Sequence, residues 1–119
     1  MAGVETNNFS QPDEVRSPAK TTVEIVKLAG GEIGRYTFEP GWKWSECVKP
    51  IAGTASCMTH HNGFVVSGRM AIRMDDKTEI EVGPGDVFVC PPGHDAWTVG
   101  KEPCVAYDFA GAATYAKKK

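Results

Sequence analysis

From Thr21 onward the chain is built of short runs in which apolar and polar side chains alternate, and no stretch of ten or more residues repeats apolar positions at helical spacing. Thr22-Val23-Glu24-Ile25-Val26-Lys27-Leu28 is rich in β-branched residues and ends at Ala29-Gly30-Gly31. Gly34-Arg35-Tyr36-Thr37-Phe38-Glu39 alternates large apolar with polar residues and stops at Pro40-Gly41. The same pattern predicts strands over Ser45–Val48, Cys57–Val66, Met70–Met74, Thr78–Val82, Asp86–Cys90, Ala96–Val99 and Cys104–Phe109. Asp75-Asp76-Lys77 reads as a hairpin turn, with Lys77 where Gly would be cheaper if the backbone needs positive φ. Gly83-Pro84-Gly85-Asp86 reads as a tight corner, and Pro91-Pro92-Gly93 ends the strand before it. About nine short strands with regular punctuation predict an all-β sandwich or barrel. Residues 1–20 lack periodicity and read as a flexible or extended arm, residues 21–112 as the barrel, and residues 113–119 as a basic tail. The Ala-rich Ala110–Ala116 would form one turn of helix at most.

Composition narrows the class. At 119 residues, with 41% hydrophobic and 24% charged residues, the chain suits one soluble globular domain. Its apolar runs stop at three or four residues, as in Val87-Phe88-Val89-Cys90, so a membrane helix is not expected. The net charge is −2, and three of the 13 basic residues are the terminal Lys117, Lys118 and Lys119. An acidic body without a basic stripe makes nucleic acid an unsuitable partner. Cys47, Cys57, Cys90 and Cys104 form no Cys-x-x-Cys pair, which argues against a zinc knuckle. With no signal-like N-terminus, the expected setting is the cytoplasm, with free thiols. There is no G-x-S-x-G, phosphate-binding glycine loop or nicotinamide fingerprint.

Two segments carry a resemblance. Gly85-Asp86-Val87-Phe88-Val89-Cys90-Pro91-Pro92-Gly93 matches the second motif of the cupins, G-D-x4-P-x-G-x2-H, through its second glycine. Phe64-Val65-Val66-Ser67-Gly68-Arg69-Met70 is similar to the end of their first motif, in the same order along the chain. The resemblance implies a single-domain jelly-roll β-barrel, commonly a homodimer, with a divalent metal held by three His and one Glu. Here the pattern departs. Counting back from Gly68 puts His61 at the glutamate position, Cys57 at the second histidine and Ala55 at the first, while the second motif's histidine falls on Ala96. His94, two residues earlier, shares strand parity with Ala96 and would face the lumen roughly 7 Å from the usual site.

Cys57, Thr59 and His61 alternate onto one face, and His60 points to the other. The expected metal set is therefore His61, His94 and Cys57, a donor set suited to zinc. Glu46, on the alternation Trp42, Trp44, Glu46, would complete a set suited instead to iron, manganese or nickel. Trp42, Trp44, Glu46 and Trp97 are the expected pocket residues. Cys57 also reads as a small buried hydrophobe, His94 as a loop residue facing solvent, and the tryptophans as core or dimer contact. Two functions follow. In one, a small polar metabolite binds in the lumen beside a metal that acts as a Lewis acid, as in lyase or isomerase chemistry. In the other, Ala55 and Ala96 leave a metal-free binding or sensing module with an apolar lumen.

Overall fold

The computed structural model describes residues 3–116. Among the described residues there are nine strands: β1 (Glu14–Arg16), β2 (Thr21–Leu28), β3 (Gly31–Phe38), β4 (His61–Ser67), β5 (Arg69–Met74), β6 (Glu79–Val82), β7 (Val87–Cys90), β8 (His94–Val99) and β9 (Cys104–Asp108). They form a six-stranded sheet in the order β1-β2-β3-β9-β4-β7 and a three-stranded sheet in the order β6-β5-β8. The result is an all-β jelly roll of two sheets rather than a closed barrel.

Alternation decides what faces inward. Tyr36 and Phe38 on β3, Cys104, Ala106 and Asp108 on β9, and His61 and Val65 on β4 are buried from the larger sheet. Met70 and Ile72 on β5 and His94, Ala96 and Thr98 on β8 are buried from the smaller one. Phe38 stacks on Trp42 with ring centroids 3.9 Å apart, and Tyr36 stacks on Tyr115 at 4.7 Å. Such pairs contribute about 0.5–1.5 kcal/mol each beyond the area they bury.

Three expectations need correction. Ser45–Val48 is not a strand: two short helical turns, α1 (Trp44–Cys47) and α2 (Lys49–Ala52), lie there. Pro50 takes the start of α2, and Gly53 closes it at φ 73°. The N-terminal arm contributes a strand, because β1 pairs with β2 through Val15 and Glu24. Residues 113–116 are not a tail but part of the packed body, with Tyr115 3% exposed. Lys117, Lys118 and Lys119 lie outside the described residues. The hairpin turn at Asp75–Lys77 does require a left-handed residue, and Lys77 supplies it at φ 77°.

Gly63 is the one position on β4 where a side chain cannot exist. A Cβ there would run into the Tyr107 carbonyl oxygen on β9. This close approach sets Gly63 opposite Asp108 and so brings the end of β9 against His61.

Candidate metal centre

Cys57 precedes β4, His61 opens it and His94 opens β8. An isolated bridge joins Cys57 to His94: the Cys57 amide donates to the His94 carbonyl at 2.7 Å, and the Gly93 amide donates to the Cys57 carbonyl at 2.7 Å. All three side chains are buried, and one donor atom from each lies within 4.8 Å of the others. Cys57 Sγ stands 3.8 Å from His61 Nε2.

The outer nitrogens of both rings are already committed. His61 Nδ1 lies 2.6 Å from Asp108 Oδ2, and His94 Nδ1 lies 2.8 Å from the Pro91 carbonyl oxygen. A carboxylate and a carbonyl only accept, so both Nδ1 atoms carry hydrogen and Nε2 is the atom left for the site. This arrangement orients metal-binding histidines. Asp108 is itself saturated. Its Oδ2 also accepts from the Tyr36 hydroxyl at 2.7 Å, and Oδ1 accepts from the amides of Asn62, Ala110 and Gly111. Asp108 is therefore a support for His61 and not a fourth donor.

The electrostatics follow this chain of contacts. Burial alone would push the Cys57 thiol up, but hydrogen bonds from His61 and His94 bring it down to about 6. Burial would lower His61, yet Asp108 and Cys57 hold it up at about 9. Burial likewise opposes the charge of Asp108, but the bonds from His61, Ala110 and Tyr36 keep it well below the usual carboxylate range. Burial pushes Cys90 up to about 12 and Cys104 up to about 11. Cys57 thus differs from both in favouring its thiolate.

The expected pocket residues separate. Trp42 and Trp44 line an inner cavity of about 30 Å³ together with His61, His94, Phe38 and Tyr115. That volume admits about one water molecule, so the lumen is packed and leaves no room for the metabolite expected there. Glu46 does not belong to the site: the helical turn of α1 breaks the strand alternation and leaves Glu46 exposed. Trp97 does not line the cavity either. It shares outward parity with Asp95 and Val99 on β8, and Lys43 Nζ lies 5.6 Å from its ring centroid. His60 is exposed and Ala55 is exposed, while Ala96 faces the cavity. Trp42 Nε1 is a buried donor with no acceptor among the described residues.

The metal set fits the residues present. A thiolate and two imidazoles, buried, close together and oriented from behind, suit a zinc ion with one position open. With Glu46 exposed and Asp108 saturated, the carboxylate preferred by iron or manganese is missing. Asp108, Tyr36 and Tyr115 were not among the site residues expected from the sequence. Asp108 carried a signal, since it continues the inward parity of Cys104 and Ala106 as an acidic group on an apolar face.

A family model for the cupin domain matches residues 44–110. The chain belongs to the cupin family. No curated protein matches this cupin. A structurally similar protein of unknown function from Rhizobium leguminosarum bv. viciae aligns with a TM-score of 0.64 and 18% identity, over 92% of this chain and 99% of the other. The polyketide cyclase RemF from Streptomyces resistomycificus aligns with a TM-score of 0.65 and 16% identity, over 92% of this chain and 80% of that one. An oxalate decarboxylase from Lactobacillus farciminis aligns with a TM-score of 0.60 and 14% identity, over 86% of this chain and 32% of that one. At these identities the likeness is one of fold. Among the described residues no helix is long and apolar enough to cross a membrane.

Proposed function

We propose that this cupin holds a divalent transition metal, zinc before iron, manganese or nickel, on Cys57 Sγ, His61 Nε2 and His94 Nε2, and uses it on a small molecule. The observation that carries the reading is the convergence of three buried donor atoms within 4.8 Å, two of them on rings whose Nδ1 atoms are already hydrogen-bonded. A bound ion of this kind supplies a Lewis acid for a carbonyl or carboxylate oxygen, as lyase and isomerase chemistry requires. The remaining work falls to the chain. Asp108 fixes the tautomer and tilt of His61, the Pro91 carbonyl does the same for His94, and the Phe38, Trp42 and Tyr115 rings exclude bulk water.

Equilibrium dialysis against zinc in a competing chelator tests the proposal. One zinc per chain is expected, with affinity reduced at least 100-fold in each of Cys57→Ser, His61→Ala and His94→Ala. No uptake, or uptake indifferent to these changes, overturns it.

A second reading, a metal-free binding or sensing module, is favoured by one observation: alanines occupy the two remaining family donor positions, Ala55 and Ala96. Stabilisation by organic ligands in chelator but not by metals would select it. The proposal also includes a cytoplasmic homodimer. The exposed Val87 and Val89 on the edge strand β7 support association, and the four unpaired cysteines support a reducing setting. Gel filtration with light scattering decides the first, and localisation of the tagged protein the second.

A further inference from the structure

The inner cavity has no room for an organic molecule, but a second space lies beside it. A cleft of about 370 Å³ runs between the α1–α2 turn and the C-terminal turn, within the range of small-molecule sites. Trp44 and Tyr115 are common to the cleft and the inner cavity, and Cys57 forms part of the cleft wall. The cleft therefore reaches the donor set through Cys57, while His61 and His94 line the inner cavity on the other side of Trp44 and Tyr115.

Its lining specifies a chemistry. Val48, Ala52 and Met58 give carbon surfaces, Thr54, Thr59 and Thr114 give hydroxyls, and apart from the Cys57 thiolate no charged side chain among the described residues lines it. Without a metal on Cys57, a carboxylate or phosphate seated there would lose water without gaining a counter-charge from the lining. Met58, half exposed at 53%, is an unbranched and polarisable wall that adapts to a flat hydrocarbon.

We infer that this cleft, and not the lumen, binds the organic ligand of the centre, and that the ligand is an uncharged, largely apolar molecule carrying a hydroxyl or carbonyl oxygen. The inference rests on the metal reading only for what that oxygen meets.

The methionines allow a clean test, because each of three marks a different space. Met58 lines the cleft, Met70 the inner cavity, and Met74 a separate surface pocket of about 130 Å³. With ¹³C-methyl methionine labelling, 2-naphthol is titrated beside 2-naphthoate and 2-naphthyl phosphate, in chelator and again with zinc. The expected result is saturable movement of the Met58 methyl by 2-naphthol with Met74 unmoved, at least tenfold tighter than for either anion. Thr114→Trp, which fills the cleft from its exposed rim, is expected to weaken 2-naphthol at least tenfold while circular dichroism shows the fold retained. Response at Met70 or Met74 in place of Met58, anions binding as tightly, or no saturation by 2-naphthol overturns the inference. Zinc uptake reads out separately. Its loss with the Met58 response intact removes the metal reading alone, and zinc uptake without a Met58 response removes the cleft alone.

Discussion

Arg16, on the first strand, donates to the carbonyl oxygen of Tyr115 at 2.6 Å, joining two residues 99 positions apart. It also donates to the Ala112 carbonyl at 2.9 Å, and its side chain is only 9% exposed. The arm thus ties down the turn whose tyrosine ring stands 5.1 Å from the His61 ring. Arg16→Met would leave buried carbonyls unpaired, at a cost of about 1–3 kcal/mol. Urea unfolding is expected to show that loss, and alkylation of apo-protein Cys57 by iodoacetamide is expected to accelerate. An unchanged alkylation rate would mean that Tyr115 is no cover for the thiol.

Asp108→Asn keeps the shape of the support but removes its charge. Zinc affinity is expected to fall about 10–100-fold, as for other partners that orient metal-bound histidines. Glu46→Ala and Trp97→Phe, both outside the site, are expected to leave the affinity within about twofold. Chelator competition measures all three.

The apo-protein has a thiolate–imidazolium pair at Cys57 and His61. Thiolate absorbance near 240 nm is expected to appear with a midpoint at about 6 and to vanish below it. The Cys57 contribution to stability is complete above the unfolded thiol's ordinary range and is lost as pH falls through about 6. The His61 contribution runs the other way: it is complete below the ordinary imidazole value and is lost as pH rises through about 9. Between these limits the rising Cys57 contribution and the falling His61 contribution oppose each other, so the pair leaves the apo fold's stability nearly flat with pH there, and His61→Ala is expected to raise the thiolate midpoint. Calorimetry in buffers of different ionisation enthalpy should also show about one proton released when zinc binds at neutral pH.

Trp42 offers a test of the orphaned donor. Trp42→Phe keeps a ring on Phe38 and removes the unpartnered N–H. The two effects oppose each other, so the loss is expected to stay below about 2 kcal/mol, against about 3–5 for Trp42→Ala. Equal losses in urea unfolding would mean that the N–H has a partner of its own.

The strands around the centre were legible because alternation is a local signal: His61 and His94 face inward by parity alone, and both motif glycines mark real turns. Glu46 was misplaced because the α1 turn is set by packing of Trp44 and Cys47 and by Pro50 after it, which a period of two cannot reveal. Trp97 was misplaced for a different reason, since its position relative to Ala96 already put it on the outer face. Asp108 and Tyr115 stayed hidden because their roles depend on contacts 47 and more residues away in the chain. A sequence shows such a residue's polarity but not its partner.

Main-chain hydrogen bonds between Cys57 and the Gly93-His94 segment fix the distance between two of the three donors. Unlike a zinc finger, which has no shape until loaded, this protein would remain folded after dialysis against EDTA. The ion could then be removed and restored without unfolding and refolding the chain.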